Sequence, residues 1–361
     1  MIRKWQELND FKPISRIRNE WLIDPHGSDV NRAVVTKGQH KHEIVLTNKL
    51  LSRIFLIKPN CTTINYRNEI TTESIIRGIK PEASVEIDGK EYAIGGLKGQ
   101  NEYAYFRPKW IDKLVKSENT FELYDFEVEQ IKERFKWKKV RWCLNRQWPP
   151  KGIGLRFKYL HSSLKNIKID IVYRMYDNIP LLSKWVEIHN ESPRKIRLNQ
   201  FTSEFLAAVE HETWCQGRLN RYEYPNFHVE SDYAFSAMSP KTAEQVIYWE
   251  TDPDYSSQVP YKSDAPILLK CKPPIGPELD IEPNEKFESF RIYELIYDST
   301  ERERKGLELR KMYRTIAPWV TENPIFMHVR SADPEKVKFA IDQCVECGFE
   351  MVILTFGSGM N

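Results

Sequence analysis

Between about residue 40 and residue 300, apolar and polar residues alternate with a period of two. The alternating segments are rich in β-branched and aromatic residues, as in "HEIVLTNKLLSRIFLI", "SVEIDGKEYAIGG", "KIDIVYRMYD", "LSKWVEIHNES" and "FESFRIYELIYD". Turn signals such as Asp88-Gly89 and Asp252-Pro253 separate the segments. Because many strands of this length follow one another with few long helical stretches between them, the pattern predicts a mainly β protein with a large antiparallel sandwich.

The pattern changes after Asp298. The segment "STERERKGLELRKMYRTIAPW" has apolar residues at roughly helical spacing among charges, so we expect a connecting helix within residues 299–320. The stretch "NPIFMHV" then predicts a strand, and "FEMVILTFGSG" predicts another. Between them, "DPEKVKFAIDQCVECG" predicts a helix with Asp333 as its cap, Pro334 at its first position and Gly348 at its end.

A strand, a helix and a second strand of these lengths make one βαβ unit. The two strands of such a unit are parallel, and their sheet needs further units to cover its edge. We therefore expect a β-sandwich over residues 1–298, a linker helix over residues 299–320, and the start of an incomplete (β/α)8 barrel over residues 321–361. On this interpretation the chain is the N-terminal part of something longer.

Composition and charge limit which partners and cofactors we expect this protein to bind. The chain has 54 basic and 51 acidic residues, a net charge of +3, and the two signs are interspersed, which gives no electrostatic reason to expect nucleic acid or an anionic membrane as a partner. We see no nucleotide or metal motif and expect no cofactor. No apolar run reaches about 18 residues, and the N-terminus lacks the apolar segment of a signal peptide. We expect a cytoplasmic protein, with secretion left open if the N-terminus is incomplete.

The six cysteines are scattered through a long chain, which favours free thiols over a disulfide framework. Cys344 and Cys347 have the spacing of a zinc or redox motif, but no second pair of cysteines or histidines follows them. Because their segment has a helical pattern, we interpret them as two small core residues of a helix.

The segments after the sandwich resemble a known family. They read "MYRTIAPWVTENPIFMHV" and "AIDQCVECGFEMVILTFGSG", with Tyr-Arg before Ala-Pro and then a strand, a helix and a strand. From about Tyr313 to Gly357, this order resembles the barrel entrance of family-36 glycoside hydrolases and their α-galactosidase-like relatives. The resemblance implies an N-terminal β-supersandwich similar to galactose mutarotase, followed by a catalytic barrel that hydrolyses O-glycosidic bonds.

The resemblance also implies where the catalytic groups lie. In α-galactosidases of this family, the second barrel strand ends in paired aspartates followed by glycine and tryptophan, whereas Thr355 and Phe356, followed by Gly357 and Ser358, stand here. Two uncharged side chains cannot replace two carboxylates, so we expect a divergent branch that acts on another glycoside. The family's nucleophile and acid/base aspartates belong to later barrel strands, so residues 1–361 are expected to contain no catalytic residue and to be inactive alone.

Candidate substrate contacts follow from the chemistry of sugars, whose sites combine aromatic surfaces with a few fixed polar groups. Each candidate also has a structural interpretation, as a packed side chain or a solvated connection. The segment "VRWCLNRQWPPKGIG" and the long interval "EHETWCQGRLNRYEYPNFHVESDY" supply the first candidates, and the ends of the two predicted barrel strands supply the others. The candidates are Arg146, Trp148, Trp214, His328, Arg330, Thr355 and Ser358.

Two functions of other classes stay open. The sandwich could be a non-catalytic module that binds carbohydrate or packs against the rest of the barrel. It could also catalyse sugar epimerisation, as a mutarotase-like sandwich does with a histidine acid and a glutamate base. The residues of the right types lie in the long interval and are Glu210, His211, Glu212, His228 and Glu230.

Overall fold

A computed structural model describes residues 1–14, 20–23, 31–139, 147–210, 224–233, 244–255, 266–320 and 324–354, without the side chain of Glu244. The chain divides into two compact units. The first, which we call the sandwich unit, comprises Met1–Lys132 and Pro149–Leu309, and the second, the βαβ unit, comprises Glu133–Trp148 and Arg310–Asn361.

The sandwich unit begins with helix α1, Ile2–Glu7. Its first strands are β1 Val34–Lys37, β2 Glu43–Thr47, β3 Leu51–Leu56, β4 Thr62–Asn68, β5 Ile76–Gly78, β6 Ala83–Ile87, β7 Lys90–Ile94, β8 Leu97–Lys98, β9 Val115–Lys116 and β10 Thr120–Gln130. The later strands are β11 Gly152–Leu160, β12 Ile167–Tyr176, β13 Leu181–Asn190, β14 Ile196–Thr202, β15 Glu204–Ala208, β16 Phe227–Ser231, β17 Ile247–Glu250, β18 Leu268–Cys271, β19 Pro277–Ile281, β20 Lys286–Glu288 and β21 Ile292–Ile296.

The remaining elements are helix α2, Arg302–Ile316, strand β22, Phe326–Val329, helix α3, Pro334–Cys347, and strand β23, Met351–Leu354. Among the described residues, short 3₁₀ helices cover Pro108–Lys113, Glu244–Val246 and Pro318–Val320. No helix in the part of the chain that the structure describes is both long enough and apolar enough to cross a membrane.

The strands of the sandwich unit form one large curled sheet and smaller ones, so the prediction of a mainly β fold is confirmed. The large sheet has 11 strands, in the order β16-β21-β13-β12-β11-β10-β7-β6-β14-β19, with β20 also paired to β13. Two sheets of four strands have the orders β1-β2-β3-β4 and β17-β18-β15-β5. Among the described strands of this unit, the contact of β10 with β7 is parallel and the other pairings are antiparallel.

Local sequence explains these strands well. In β12, Ile169, Ile171 and Tyr173 alternate into the core, as the period of two requires. The hairpin between β6 and β7 turns at Asp88 and Gly89, whose φ angles are 53° and 75°. Positive φ at both central residues defines the tight turn that joins twisted antiparallel strands, and aspartate followed by glycine tolerates it best.

The βαβ unit contains a parallel strand pair of its own. Strands β22 and β23 pair in parallel, with Phe326 opposite Met351 and Val329 opposite Leu354, and α3 connects them. The side chain of Asp333 accepts a hydrogen bond from the backbone N–H of Lys336, at 3.1 Å, which caps the start of α3. The predicted strand, helix and strand are therefore confirmed, and the barrel that would extend them stays a prediction.

Two expectations need correction, and a third holds. Cys344 is buried, but Cys347 is exposed, because the last turn of α3 places it on the solvent side. Residues 227–231 form β16 rather than a loop, since their backbone pairs with β21. The expected connecting helix is present as α2, in which Met312 and Glu308 are buried and Leu307 is exposed.

Candidate functional site

Four aromatic side chains of the βαβ unit contact one another and form what we call the aromatic cluster. It consists of Phe135, Trp137, Trp148 and Trp319. The Trp148 ring lies 5.2 Å from Trp319, 5.2 Å from Phe135 and 6.1 Å from Trp137, measured between centroids. Trp319 is also 5.2 Å from Phe135 and 5.8 Å from Trp137. Chain segments distant in sequence thus meet around Trp148, which sequence reasoning had already proposed as a substrate contact.

The aromatic cluster is only partly covered. Phe135 is exposed and the three indoles are half-buried, so aromatic surface remains available to a ligand. The Nε1–H of Trp148 donates to the backbone carbonyl of Phe135 at 3.4 Å, which restrains its indole. Sequence reasoning missed Phe135, Trp137 and Trp319, although the alternation of aromatic and basic residues in "RFKWKK" was a usable signal.

His328 and Arg330 lie at the C-terminal end of β22, as the sequence predicted. Exposure alternates along this strand, and Phe326 and His328 share its exposed face. Their rings stack at 5.0 Å with an interplanar angle of 20°. Arg330 follows the strand directly and is exposed. The structure therefore places Trp148, His328 and Arg330 in one compact unit, while their role in binding stays a prediction.

Four other predicted contacts, Arg146, Trp214, Thr355 and Ser358, lie outside the described residues. The same holds for His211 and Glu212 of the epimerase hypothesis. Its described residues are Glu210, which follows β15, and His228 and Glu230, which lie on β16 with His228 Nε2 2.9 Å from Glu230 Oε2. An acid and a base for epimerisation must lie on opposite sides of one sugar ring, and two side chains that contact each other do not have that arrangement.

The sandwich unit contains a pocket of about 690 Å³, which we call the sandwich pocket. It lies on the face of β2, β3 and β4 that is turned away from the main core, because Ile44 and Leu46 point into that core while Val45 lines the pocket. Ile54 and Ile64 add to its apolar surface, and aromatic residues of the N-terminal segment and of residues 104–108 complete it. Sequence reasoning did not find this pocket.

A cluster of charged groups on the large sheet could be mistaken for a metal centre. Ligand atoms of Asp170, Glu187 and His189 lie within 4.8 Å of one another. However, Nη1 of Arg156 donates to Asp170 at 3.0 Å and to Glu187 at 2.9 Å. The guanidinium of Arg156 therefore places a positive charge beside these two carboxylates. Burial would raise the pKa of Glu187, but hydrogen bonds from Arg156 and Trp185 outweigh it and hold that pKa at about 2. The cluster is better interpreted as an ion-pair network than as a metal site.

A second network of charges is fully buried in the core of the sandwich unit. Arg53 donates to Glu204 at 2.9 Å and lies 3.4 Å from Glu82 and 3.5 Å from Glu294. Lys184 donates to another oxygen of Glu204, at 2.8 Å, and also to the backbone carbonyl of Glu82. Two cations therefore face three carboxyl groups. Ionising all three would leave an unbalanced buried charge.

The pKa values of this network follow from that imbalance. Burial would raise the pKa of Glu204, but the charges of Arg53 and Lys184 hold it at about 2. Burial and the nearby charge of Glu204 raise the pKa of Glu294 to about 8. Two neighbouring carboxyl groups with pKa values this far apart are typical of acid–base catalysis. Both side chains are 0% exposed and neither lines the sandwich pocket, so we interpret the network as structural.

Comparisons with known proteins give matches among solved structures. No family model matches this sequence, and no curated protein matches it. An α-galactosidase from Lactobacillus brevis matches at 12% identity and a TM-score of 0.43, over 91% of this chain and 49% of that one. The galactosidase domain of an alpha-galactosidase-sucrose kinase matches at 11% identity and a TM-score of 0.45, over 89% of this chain and 51% of that one.

A TPR-domain containing protein from Parabacteroides distasonis also matches, at 9% identity and a TM-score of 0.35, over 88% of this chain and 56% of that one. The chain thus spans about half the length of the two galactosidase structures. All three TM-scores lie below 0.5, so these similarities identify no function.

Proposed function

We propose that this chain supplies the β-sandwich, the linker helix and the first βαβ unit of a glycoside hydrolase of the α-galactosidase-like type. The carboxylates that perform hydrolysis then lie outside residues 1–361, and the chain helps to shape the site for a glycoside or an oligosaccharide. Within it, residues 1–298 act as the sandwich, 299–320 as the linker and 321–361 as the start of the barrel.

The observation that carries the proposal is the parallel pairing of β22 with β23 through α3. Parallel strands occur almost only in sheets that are covered on both faces and extended by further units. In a (β/α)8 barrel the substrate lies at the C-terminal ends of the strands, which is where His328 and Arg330 are found. The half-buried aromatic cluster offers the kind of surface that packs against the C–H face of a sugar.

One close pair of carboxyl groups in the described part of the chain, Asp170 and Glu187, is consistent with catalytic carboxylates that lie elsewhere. A retaining glycosidase needs two carboxyl groups about 5–5.5 Å apart, one of them with a raised pKa. Asp170 and Glu187 are close enough, but Arg156 bonds both, and the pKa of Glu187 is lowered to about 2. Neither carboxyl group is free of this guanidinium to act on a substrate.

The test compares two forms of the protein. The native protein is purified from its source cells, its mass is measured, and it is assayed on a panel of aryl α- and β-glycosides beside purified residues 1–361. We expect a native protein longer than 361 residues that hydrolyses at least one glycoside, and no turnover by residues 1–361. Turnover by residues 1–361 would contradict the proposal, as would a native protein that ends at residue 361.

The sandwich pocket favours a second candidate, a carbohydrate-binding module without catalysis. The pocket combines apolar and polar lining in a volume suited to a small ligand. This candidate replaces the first if residues 1–361 bind oligosaccharides and the native protein also turns over no glycoside.

A further inference from the structure

The proposed hydrolysis does not use the sandwich pocket, and the inference that follows deepens the second candidate, the carbohydrate-binding module. We propose that it binds a neutral saccharide, at a site that belongs to the sandwich unit and requires no hydrolysis. The shape of the pocket, the polar groups in its wall and the balance of its charges all favour such a ligand.

The shape suits a ligand of one or two sugar rings. A volume of about 690 Å³ lies within the range of about 300–1,000 Å³ that is usual for small-molecule sites. Val45, Ile54, Ile64 and Ile76 contribute apolar surface, and they project from strands, whose backbone holds them in place. Such a surface excludes water from the C–H faces of a bound ring.

Aromatic rings add to this surface. Phe11, Tyr105 and Phe106 line the pocket. Tyr105 is held by stacking on Trp110, at 5.5 Å and 29°, and by Arg107, whose Cζ lies 4.9 Å from the ring centroid. A ring that is already restrained loses little conformational freedom when a ligand packs against it.

The polar groups in the wall include both donors and acceptors. Nε of Arg67 is buried without a hydrogen-bond partner, and its ion pair with Oε2 of Glu69, at 3.6 Å, is too long for a hydrogen bond. Asn65 accepts from the Ser74 hydroxyl through Oδ1, at 2.9 Å, which leaves its amide N–H groups as donors. Glu43 offers carboxylate oxygens, one of which accepts from the backbone N–H of His40 at 3.0 Å. Hydroxyl groups can satisfy both kinds of partner, because each donates and accepts.

The charges of the pocket balance, which selects a neutral ligand. Arg67 and Arg77 face Glu43 and Glu69 in the lining. Arg77 is already engaged, since its guanidinium donates to Asp252 at 2.7 Å and to the carbonyl of Tyr103 at 2.6 Å. A site for phosphate or a carboxylate would need an excess of cationic groups, whereas the described lining residues set two arginines against two carboxylates. A polyhydroxylated neutral molecule fits the lining better.

The experiment measures binding to residues 1–361 by saturation-transfer NMR, with maltose, cellobiose and lactose as neutral probes and glucuronate and inorganic phosphate as charged ones. Two variants change the pocket, Arg67→Met and Tyr105→Ala. Two matched variants change similar side chains elsewhere in the sandwich unit, Arg197→Met and Tyr124→Ala; Tyr105 and Tyr124 are 39% and 40% exposed. Circular dichroism and unfolding midpoints establish that all four variants are folded.

We expect at least one neutral disaccharide to bind with a dissociation constant below about 10 mM. Arg67→Met and Tyr105→Ala should each weaken binding by about tenfold, the loss typical of one hydrogen bond to a charged group or one aromatic contact, and the matched variants should not. Three results would overturn the inference: no binding of any neutral probe, equal losses in the matched variants, or preferred binding of glucuronate or phosphate. This experiment measures binding and not hydrolysis, so its result is independent of whether the proposed hydrolase activity is found.

Discussion

The sandwich unit and the βαβ unit differ in the kinds of side chain that they bury and expose. In the sandwich unit even Lys184 and Glu204 are fully buried, because each has an oppositely charged partner in the core. In the βαβ unit, Phe339 and Val345 of α3 are 63% and 75% exposed, and Phe326 of β22 is exposed as well. The sandwich unit thus buries paired charges within its own core, whereas the βαβ unit leaves large apolar side chains exposed on both its helix and its strand.

The largest effect should come from the buried network. Replacing Arg53 by methionine removes the cation that holds Glu82 and Glu204. Leaving buried carboxylates without a partner costs about 3–5 kcal/mol, so the free energy of unfolding, measured with urea, should fall by that amount. The matched variant Arg197→Met removes an exposed arginine that pairs with Glu278 and Asp280, and it should leave the unfolding midpoint nearly unchanged. Equal losses in the two variants would remove the contrast between buried and exposed charge.

The second effect is a dependence of stability on pH. Burial and the charge of Glu204 raise the pKa of Glu294 from its ordinary value of 4.5 to about 8. Because the folded protein keeps this proton while the unfolded chain loses it, the contribution of Glu294 to stability is complete below pH 4.5 and is lost as the pH rises to 8. The slope from this group approaches about 1.4 kcal/mol per pH unit.

The variant Glu294→Gln, whose amide resembles the protonated carboxyl group, should flatten this slope and should be more stable than the parent at pH 8. Glu204→Gln is the matched control. The pKa of Glu204 is held at about 2 by its two cations, so this variant should lose stability throughout the neutral range. If Glu294→Gln leaves the pH profile of unfolding unchanged, Glu294 is not the group that titrates.

A smaller effect concerns the βαβ unit. Asp333 caps α3 through the N–H of Lys336, and its replacement by alanine should cost about 1 kcal/mol of helix stability. Hydrogen exchange of α3 amides should become faster in this variant. Asp342→Ala, at an exposed position within α3, provides the control and should not accelerate exchange, because alanine favours helices. Identical exchange in both variants would show that the cap contributes nothing to α3.

The elements that sequence predicted are those with a local signal. A few consecutive residues are enough to predict the alternation of β12, the Asp88-Gly89 turn, and the start and end of α3 at Asp333 and Gly348. The structure contains all of these features. Fold class followed from the number of such segments. The parallel strand pair followed from the order of strand, helix and strand.

The buried charge network, the sandwich pocket and the contact of Trp148 with Trp319 have no local signal in the sequence. Arg53 and Glu204 are 151 residues apart in sequence, so the residues near either one give no indication that the two form an ion pair. The sandwich pocket gathers residues from the N-terminal segment, from β2 to β5 and from residues 104–111. Of the aromatic cluster, sequence reasoning found Trp148, which lies in a dense aromatic segment, and missed Trp319, which reaches it only through the fold.

Hydrogen exchange across the whole chain tests the central comparison most directly. The account predicts that amides of β12 and β13, in the core of the sandwich unit, exchange only through global unfolding. Amides of β22, α3 and β23 should exchange through a separate opening of lower free energy, because the βαβ unit buries less apolar surface. Equal protection of both regions, lost together at one denaturant concentration, would contradict the account, because the two regions would then form a single cooperative core.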